Sequence, residues 1–345
     1  MKVVVGISGG VDSAVAASLL QRDGHDVLAV HMQNWSDERN LRGCSQWSDD
    51  RKDAVAVAAH LGMPLEILNF EKDYQERVMK YFFREYAAGR TPNPDMLCNR
   101  EIKFGILLDW AMKRGFDAVA TGHYARVKTR GDIATLHKGV DTAKDQSYFL
   151  SQLSQQQLRH AIFPLGDWVK SEVRSEARRL ALPVARKPDS QGLCFVGDLD
   201  IAAILKETIP TAAGDVVTPQ GAVIGRHEGA ALYTVGQRRG VGVSGAVPLY
   251  VLKTDVKTNI VTVGHDRDLY TRTVITEKPH WVAEDFGSGE FDVSIRYRME
   301  ASPAQVTVTA SGSEITFDEE QRGPTPGQFA ALYSGSELVG SAVIR

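Results

Sequence analysis

The chain opens on an apolar run that ends in paired glycines, Lys2-Val3-Val4-Val5-Gly6-Ile7-Ser8-Gly9-Gly10-Val11-Asp12-Ser13. Consecutive valines favour a buried strand, and the glycines turn it directly into a helix that starts near Val11. Gly9 and Gly10 lack a β-carbon, so main-chain amides at this turn can approach an anion closely. Ser8 and Ser13 add hydroxyl donors, and the helix points its positive end at the same spot. A pyrophosphate or triphosphate fits such a turn. The bland alternative is an ordinary glycine turn, but the whole hexapeptide in its strand-to-helix setting favours nucleotide binding.

This is not a Walker A loop, which carries a Lys directly before its Ser/Thr. Position 12 is Asp, and a carboxylate beside a polyphosphate repels it unless Mg2+ lies between them. Asp12 therefore reads as a metal ligand or as an organiser of the loop. Ser-Gly-Gly-Val-Asp-Ser resembles the PP-loop of ATP pyrophosphatases, which cleave ATP between its α and β phosphates to adenylate a substrate.

Downstream, strand and helix alternate to about residue 125. Strands are expected at 3–7, 27–32, 65–70 and 118–121, and amphipathic helices at 11–22, 49–61, 74–88 and 101–114. Ser48 and Asp73 are placed to cap the second and third helices, and Gly62 and Gly89 to end helices in the left-handed conformation. The pattern is that of an α/β doubly wound parallel sheet, whose ligands collect beyond the carboxyl ends of the strands. The segments after Ile7, Met32 and Thr121 should meet there, making Met32 and Gly122 neighbours of a nucleotide. A hairpin is expected over 126–138, and helices over 151–208 around a loop at 186–197. Beyond residue 210 the texture turns to short β runs, at 214–226, 231–242 and 249–263. Further runs at 293–297, 304–310, 314–317, 329–333 and 337–344 suggest a small closed barrel. The expected division is 1–208, 209–268 (central, β-rich) and 269–345 (barrel), with one continuous β domain after residue 210 as the alternative.

Composition narrows the partners. With 345 residues, 43% of them hydrophobic, more than one core can be buried, and a net charge of −3 argues against a wholly basic nucleic-acid coat. Charge is uneven, however: residues 159–187 hold seven Lys/Arg against three Asp/Glu, which suits a local anionic partner. Neither a signal segment nor a long apolar span is evident, so no membrane and a cytoplasmic location are expected. Three cysteines, Cys44, Cys98 and Cys194, form no CxxC pair, which disfavours a disulfide framework or zinc ribbon. His123 and His137 read as structural, and no His-and-acid cluster suggests a metal site.

Two of the thiols lie in distinctive loops. Gly89-Arg90-Thr91-Pro92-Asn93-Pro94-Asp95-Met96-Leu97-Cys98-Asn99 is stiffened by prolines and sets Asp95 and Cys98 three residues apart just before a helix, or on one face of it if the helical turn has begun by then. A helix N-terminus favours a thiolate, and Asp95 can pass a proton to or from a reacting base. Cys194 lies in Asp189-Ser190-Gln191-Gly192-Leu193-Cys194-Phe195-Val196-Gly197, with Arg186 and Lys187 upstream. Two thiols in separate loops can exchange sulfur, one carrying a persulfide and the other attacking its S–S bond.

Together these motifs resemble the tRNA-specific 2-thiouridylases, which replace the C2 oxygen of the wobble uridine with sulfur. The likeness covers essentially the whole chain. Besides the three motifs above it rests on Ala-Thr-Gly-His-Tyr at 120–124, Lys-Asp-Gln-Ser-Tyr-Phe-Leu at 144–150, Thr-Val-Gly-Gln-Arg-Arg-Gly at 234–240 and Arg-Tyr-Arg at 296–298. The resemblance implies ATP contacts at Gly6, Ile7, Ser8, Gly9, Gly10, Val11, Asp12, Ser13, Met32 and Gly122. It implies contacts to the target base from Asn93, Pro94 and Asp95, and to tRNA from Lys144, Asp145, Gln146, Arg296 and Tyr297. It makes Cys194 the persulfide carrier and Cys98 its resolving partner, with a disulfide between them at the end of each cycle.

The resulting expectation is an ATP- and Mg2+-dependent sulfurtransferase acting on the tRNA anticodon stem-loop and fed by a cysteine desulfurase or sulfur carrier protein. Cys44 is either a packing residue or a third ligand, with Cys98 and Cys194, of an iron–sulfur cluster; three cysteines in no ferredoxin spacing weigh against the cluster. A PP-loop ligase adenylating a small molecule would leave both thiol loops idle. A tRNA-binding module with a vestigial nucleotide fold is the non-enzymatic alternative.

Overall fold

A computed structural model describes residues 1–35, 46–189, 201–243 and 247–345. Strands β1 (Lys2–Gly6), β2 (Asp26–Gln33), β3 (Leu65–Asn69) and β4 (Ala118–Ala120) fall where the sequence places them. A hairpin of β5 (Ala125–Arg130) and β6 (Ile133–Lys138) follows, and then β7 (Ala161–Ile162), a short strand that the sequence reading assigned to helical structure. The first sheet runs β3-β2-β1-β4-β7 and its pairings are all parallel. Val3, Val4 and Val5 are wholly buried, because β1 is central and helices cover both faces; each contributes about 1.5–3 kcal/mol of burial.

The helix after β1 spans Val11–Arg22, as expected. Gly62 (φ 64°) and Gly89 (φ 75°) take the left-handed conformation where C-caps were expected. The two proposed N-caps are displaced. The second helix is Gln46–Leu61, which leaves Ser48 inside its first turn. The third run begins at Glu71, whose N–H is accepted by Asn69 Oδ1 at 2.9 Å, so Asp73 lies inside the helix as an acid near its positive end. This run continues through a π-helical stretch, Gln75–Met79, into Lys80–Ala87.

The central β region forms its own sheet, β10-β11-β8-β9, from β8 (Gly214–Val217), β9 (Val223–His227), β10 (Tyr250–Asp255) and β11 (Ile260–Gly264). The expected run at 231–242 is not a strand. Ala230–Leu232 is a short 3-10 turn, and Gly236, Gly240 and Gly242, with φ of 85°, 77° and 72°, break any extended path. A single β domain after residue 210 is likewise not what forms.

The last region contains β12 (Tyr270–Thr276), β13 (His280–Trp281), β14 (Gly289–Ser294), β15 (Ser302–Val308), β16 (Ser313–Arg322), β17 (Phe329–Ser334) and β18 (Glu337–Val343). They pair in the order β12-β16-β15-β14-β17-β18, with β13 added to β18. The barrel closes between its ends: Thr276 bridges Ile344, and the N–H groups of Glu277 and Arg345 donate to the carbonyls of Val343 (2.7 Å) and Ile275 (2.9 Å). Alternate residues Val306, Ile315, Phe317, Ala330 and Leu332 fill its interior. β18 also pairs with β6, so the hairpin of the first region extends the sheet of the last.

Candidate active site

At the carboxyl end of β1 the glycine turn is held by its own serines. Ser8 N–H donates to Ser13 Oγ at 3.2 Å, Gly10 N–H to Ser8 Oγ at 3.3 Å, and Ser13 Oγ to Gly10 O at 3.1 Å. Gly9 is required twice over: its φ is 81°, and a Cβ there would come within 2.4 Å of Asp50 O. Gly10 begins the helix without any side-chain cap, leaving amide donors for a ligand. Gly122 abuts the same turn, since a Cβ on it would lie 2.8 Å from Asp12 C and Ser13 N. A Cβ on Gly6 would meet Met32 Cε at 3.5 Å, so the ends of β1, β2 and β4 converge as the parallel topology requires.

Asp12 is not an isolated carboxylate awaiting a metal. Lys170 Nζ donates to its two oxygens at 2.7 and 2.8 Å, and Tyr124 OH donates to Oδ1 at 2.9 Å. Burial, followed by the Asp12 carboxylate, pushes the Tyr124 phenol far up, so it stays a donor. On the other side of the turn Lys187 Nζ donates to Gly9 O at 3.1 Å and to Asp50 and Asp53, each at 2.6 Å. Burial would lower the Lys187 ammonium, but the two carboxylates outweigh it and raise it. The charge that a Walker loop carries within itself is thus supplied from far along the chain. Sequence reasoning did not assign Lys170, Lys187 or Tyr124 to this turn; the basic excess over 159–187 was the signal for the two lysines, and Tyr124 stood only as part of the 120–124 motif.

The second motif is clamped by all three regions. Thr91 N–H donates to Pro326 O at 2.8 Å, Gln328 Nε2 donates to Thr91 O at 2.8 Å, and Thr254 Oγ1 donates to Gly89 O at 3.2 Å. Thr91 and Thr234 hydroxyls pair at 3.0 Å. The helix starts earlier than expected. Asn93 is its N-cap, accepting from Met96 N–H at 3.3 Å, and Pro94 takes the first position. Asp95 and Cys98 therefore lie within the helix, one turn apart, rather than before it. Cys98 is past the first turn, its N–H bonded inside the helix. It is 1% exposed, packs with Met96, Leu97 and Ile102, and opens the π-helical stretch Cys98–Ile106. Cys44 and Cys194 lie outside the described residues, as does any pairing between Cys98 and Cys194.

The segment 144–150 links these two sites. Gln146 Oε1 accepts from Tyr124 N–H at 3.1 Å, and Asn99 Nδ2 donates to Phe149 O at 2.9 Å. Asp145 is turned inward, accepting from Gly139 N–H and from the N–H and hydroxyl of Ser147; burial raises its carboxyl, partly offset by those bonds. Lys144 Nζ reaches Asp189 at 2.8 Å. Tyr297 lies against Phe149 with centroids 4.3 Å apart, and the exposed Arg298 stands 5.3 Å over its ring. Arg296 is half-buried and donates to Gly323 O at 2.8 Å and Thr325 Oγ1 at 3.2 Å. His123 Nδ1 lies 2.6 Å from Thr121 Oγ1, and His137 Nε2 lies 2.9 Å from Thr135 Oγ1; burial lowers both imidazoles.

Comparison with known proteins bears on the whole length. Family models match residues 1–198 (tRNA methyl transferase HUP domain), 202–265 (tRNA methyl transferase PRC-barrel domain) and 271–344 (aminomethyltransferase beta-barrel domain). A solved 4-thiouridine synthetase in complex with RNA and ATP aligns with 61% of this chain and 50% of its own, at 22% identity and a TM-score of 0.39, too distant to argue from. A tRNA-specific 2-thiouridylase of Chromobacterium violaceum is 45% identical over 354 residues, covering 100% of this chain and 92% of the relative. One of Enterococcus faecalis is 43% identical over 355 residues, covering 99% and 95%. At that similarity over that length, the chain belongs to the tRNA-specific 2-thiouridylase family.

Proposed function

We propose that the chain carries out ATP-dependent 2-thiolation of the wobble uridine of tRNA, with adenylation at the 8–13 turn and sulfur transfer by Cys194 and Cys98. The supporting observation is the turn itself: an uncapped helix start between two lysines, at the convergence of three strand ends. Uridine leaves the anticodon stack, and its C2 oxygen attacks the α-phosphorus of ATP. Pyrophosphate departs into the amides of the turn, where Lys170 and Lys187 offset its charge. A persulfide on Cys194 then adds its terminal sulfur at C2 and AMP leaves with the oxygen. Cys98 thiolate attacks Cys194 Sγ, which frees the thiouridine and closes a Cys98–Cys194 disulfide. A two-electron reductant reopens it, and a desulfurase or carrier protein restores the persulfide.

In this scheme Asn93, Pro94 and Asp95 meet the base, and Lys144, Tyr297 and Arg298 offer tRNA a cationic and aromatic surface. Asp145, Gln146 and Arg296, bonded inward, shape that surface from behind. The working division of labour follows residues 1–208, 209–268 and 269–345. In the unliganded chain Asp12 is held by Lys170, and among the described residues no group of three His, Cys, Asp or Glu side chains is placed to hold a metal ion by itself. Mg2+ is therefore proposed only as the counter-ion brought in with ATP. No helix among the described residues is long and apolar enough to cross a membrane.

The test is pyrophosphate release from ATP by the purified chain, with and without unmodified tRNA, together with mass analysis of the tRNA nucleosides. Release that needs tRNA, with 2-thiouridine formed once a sulfur donor is added, is expected. Release without tRNA would point to a small-molecule ligase.

A further inference from the structure

Asp189 is a meeting point of three cations. Lys144 Nζ donates to its Oδ2 at 2.8 Å, Lys170 Nζ to its Oδ1 at 2.8 Å, and Arg174 Nη2 to that same Oδ1. Burial alone would push its carboxyl up, but the ammonium groups of Lys144 and Lys170 outweigh it and hold the carboxyl well below the usual range. An ammonium pair and a guanidinium converging on one point suit a phosphate, which spreads its charge over several acceptor oxygens.

The cations hold their places through bonds that do not involve Asp189. Lys170 opens the helix Lys170–Arg179, and its backbone N–H donates to Asp141 at 2.8 Å. Arg174 lies one turn further on and also donates to Lys187 O at 2.5 Å, while Lys144 N–H is fixed to Asp141 O at 3.0 Å. Lys170 is shared with Asp12 of the glycine turn. Among these groups the ion pairs run from Lys144, Lys170 and Arg174 to Asp189 and from Lys170 to Asp12, while Asp141 accepts from backbone N–H groups, so a phosphate entering among the three cations competes with a carboxylate for them. Asp189 is the one that all three cations touch.

We propose that Lys144, Lys170 and Arg174 form a phosphate-binding site which Asp189 fills in the unliganded chain, so that Asp189 competes with a phosphate oxyanion of an incoming substrate. This rests on the function proposed above. The phosphate has two sources: the polyphosphate of ATP, reached through Lys170 beside the glycine turn, or the tRNA backbone, reached through Lys144.

The experiment uses the full chain and the variants Asp189→Asn, Asp189→Glu and Arg174→Gln. Inorganic pyrophosphate and Mg-ATP are titrated by calorimetry, and unmodified tRNA by fluorescence anisotropy. Asp189→Asn tightens the ligand that owns the site by about threefold to fivefold, the scale of a partly exposed ion pair, and the gain shrinks at high salt. Asp189→Glu keeps wild-type affinity, and Arg174→Gln weakens the same ligand. Tightening confined to pyrophosphate and ATP assigns the site to ATP, tightening confined to tRNA assigns it to the backbone, and tightening of both means a shared site. A carboxylate with a structural role alone would lower the thermal midpoint on substitution and tighten nothing. Unchanged or weaker binding of all three ligands by a folded Asp189→Asn overturns the proposal. A wild-type chain that binds neither ATP nor tRNA overturns the proposed function with it.

Discussion

Substituting Gly122 by alanine tests whether the glycine turn performs the adenylation. The added Cβ would lie 2.8 Å from Asp12 C and Ser13 N, whereas ordinary contact begins at 3.4 Å. Both neighbours are backbone and cannot rotate away, so the end of β4 and the first turn of the helix must part by about 0.6 Å. Overpacking of this kind costs about 1–3 kcal/mol of stability. A misplacement near 1 Å at reacting groups costs about a hundredfold in rate, so roughly a tenfold fall in kcat/KM for tRNA-dependent pyrophosphate release is expected here, about 1.4 kcal/mol of transition-state stabilisation. Gly24→Ala is the comparison: its φ of 79° makes alanine strained, but nothing lies within 4 Å and it is remote from the turn. It should lower the thermal midpoint and leave kcat/KM unchanged. A folded Gly122→Ala protein with wild-type kcat/KM would refute the placement of adenylation at this turn.

Three further expectations follow from other contacts. Gln328→Ala removes the donor to Thr91 O, a bond worth about 1 kcal/mol, and should raise KM for tRNA while ATP affinity by calorimetry stays constant; weakened ATP binding would argue against a clamp on the base-facing loop. Asp189 is held below the usual carboxylate range, so its stabilising contribution is complete above the unfolded value of about 3.9 and is lost as pH falls through the lower folded value. The midpoint difference between wild type and Asp189→Asn should accordingly close in strong acid, and a constant difference from neutrality down to pH of about 2 would contradict it. Cys98→Ala and Cys194→Ser should both release pyrophosphate in the presence of tRNA without forming 2-thiouridine, whereas Cys44→Ser should remain active; iron bound in proportion to activity, with Cys44→Ser inactive, would replace the persulfide route by a cluster.

Much of the first region was legible because its signals are local. The valine run, the glycine pair and the helix from Val11 are each set by neighbours in sequence, and so are the left-handed ends at Gly62 and Gly89. The starts of two helices were misjudged because a polar side chain upstream takes up an early N–H: Asn69 accepts from Glu71, and Asn93 caps the helix that opens at Pro94. The charge on the glycine turn was invisible residue by residue, because Lys170 and Lys187 reach it only after the sheet has formed. The inward turn of Asp145 and Arg296 was equally hidden, since a charged residue in a motif looks the same whether it faces solvent or a neighbouring carbonyl.

The pairing of β6 with β18 sets a schedule for synthesis. His137 and Ser336, 199 residues apart, meet at 3.3 Å, so the hairpin leaves the ribosome long before the strand that covers it. Until then β6 carries an open edge, and Leu136, wholly buried in the finished protein, lacks its partner Leu338. A chain ending at residue 268 should consequently behave as an arrested nascent chain, binding hydrophobic dyes and aggregating, and adding residues 269–345 as a separate polypeptide should suppress both. The barrel is in this sense the last step in maturing the nucleotide domain, and a premature stop late in the coding sequence would strike at its first fold.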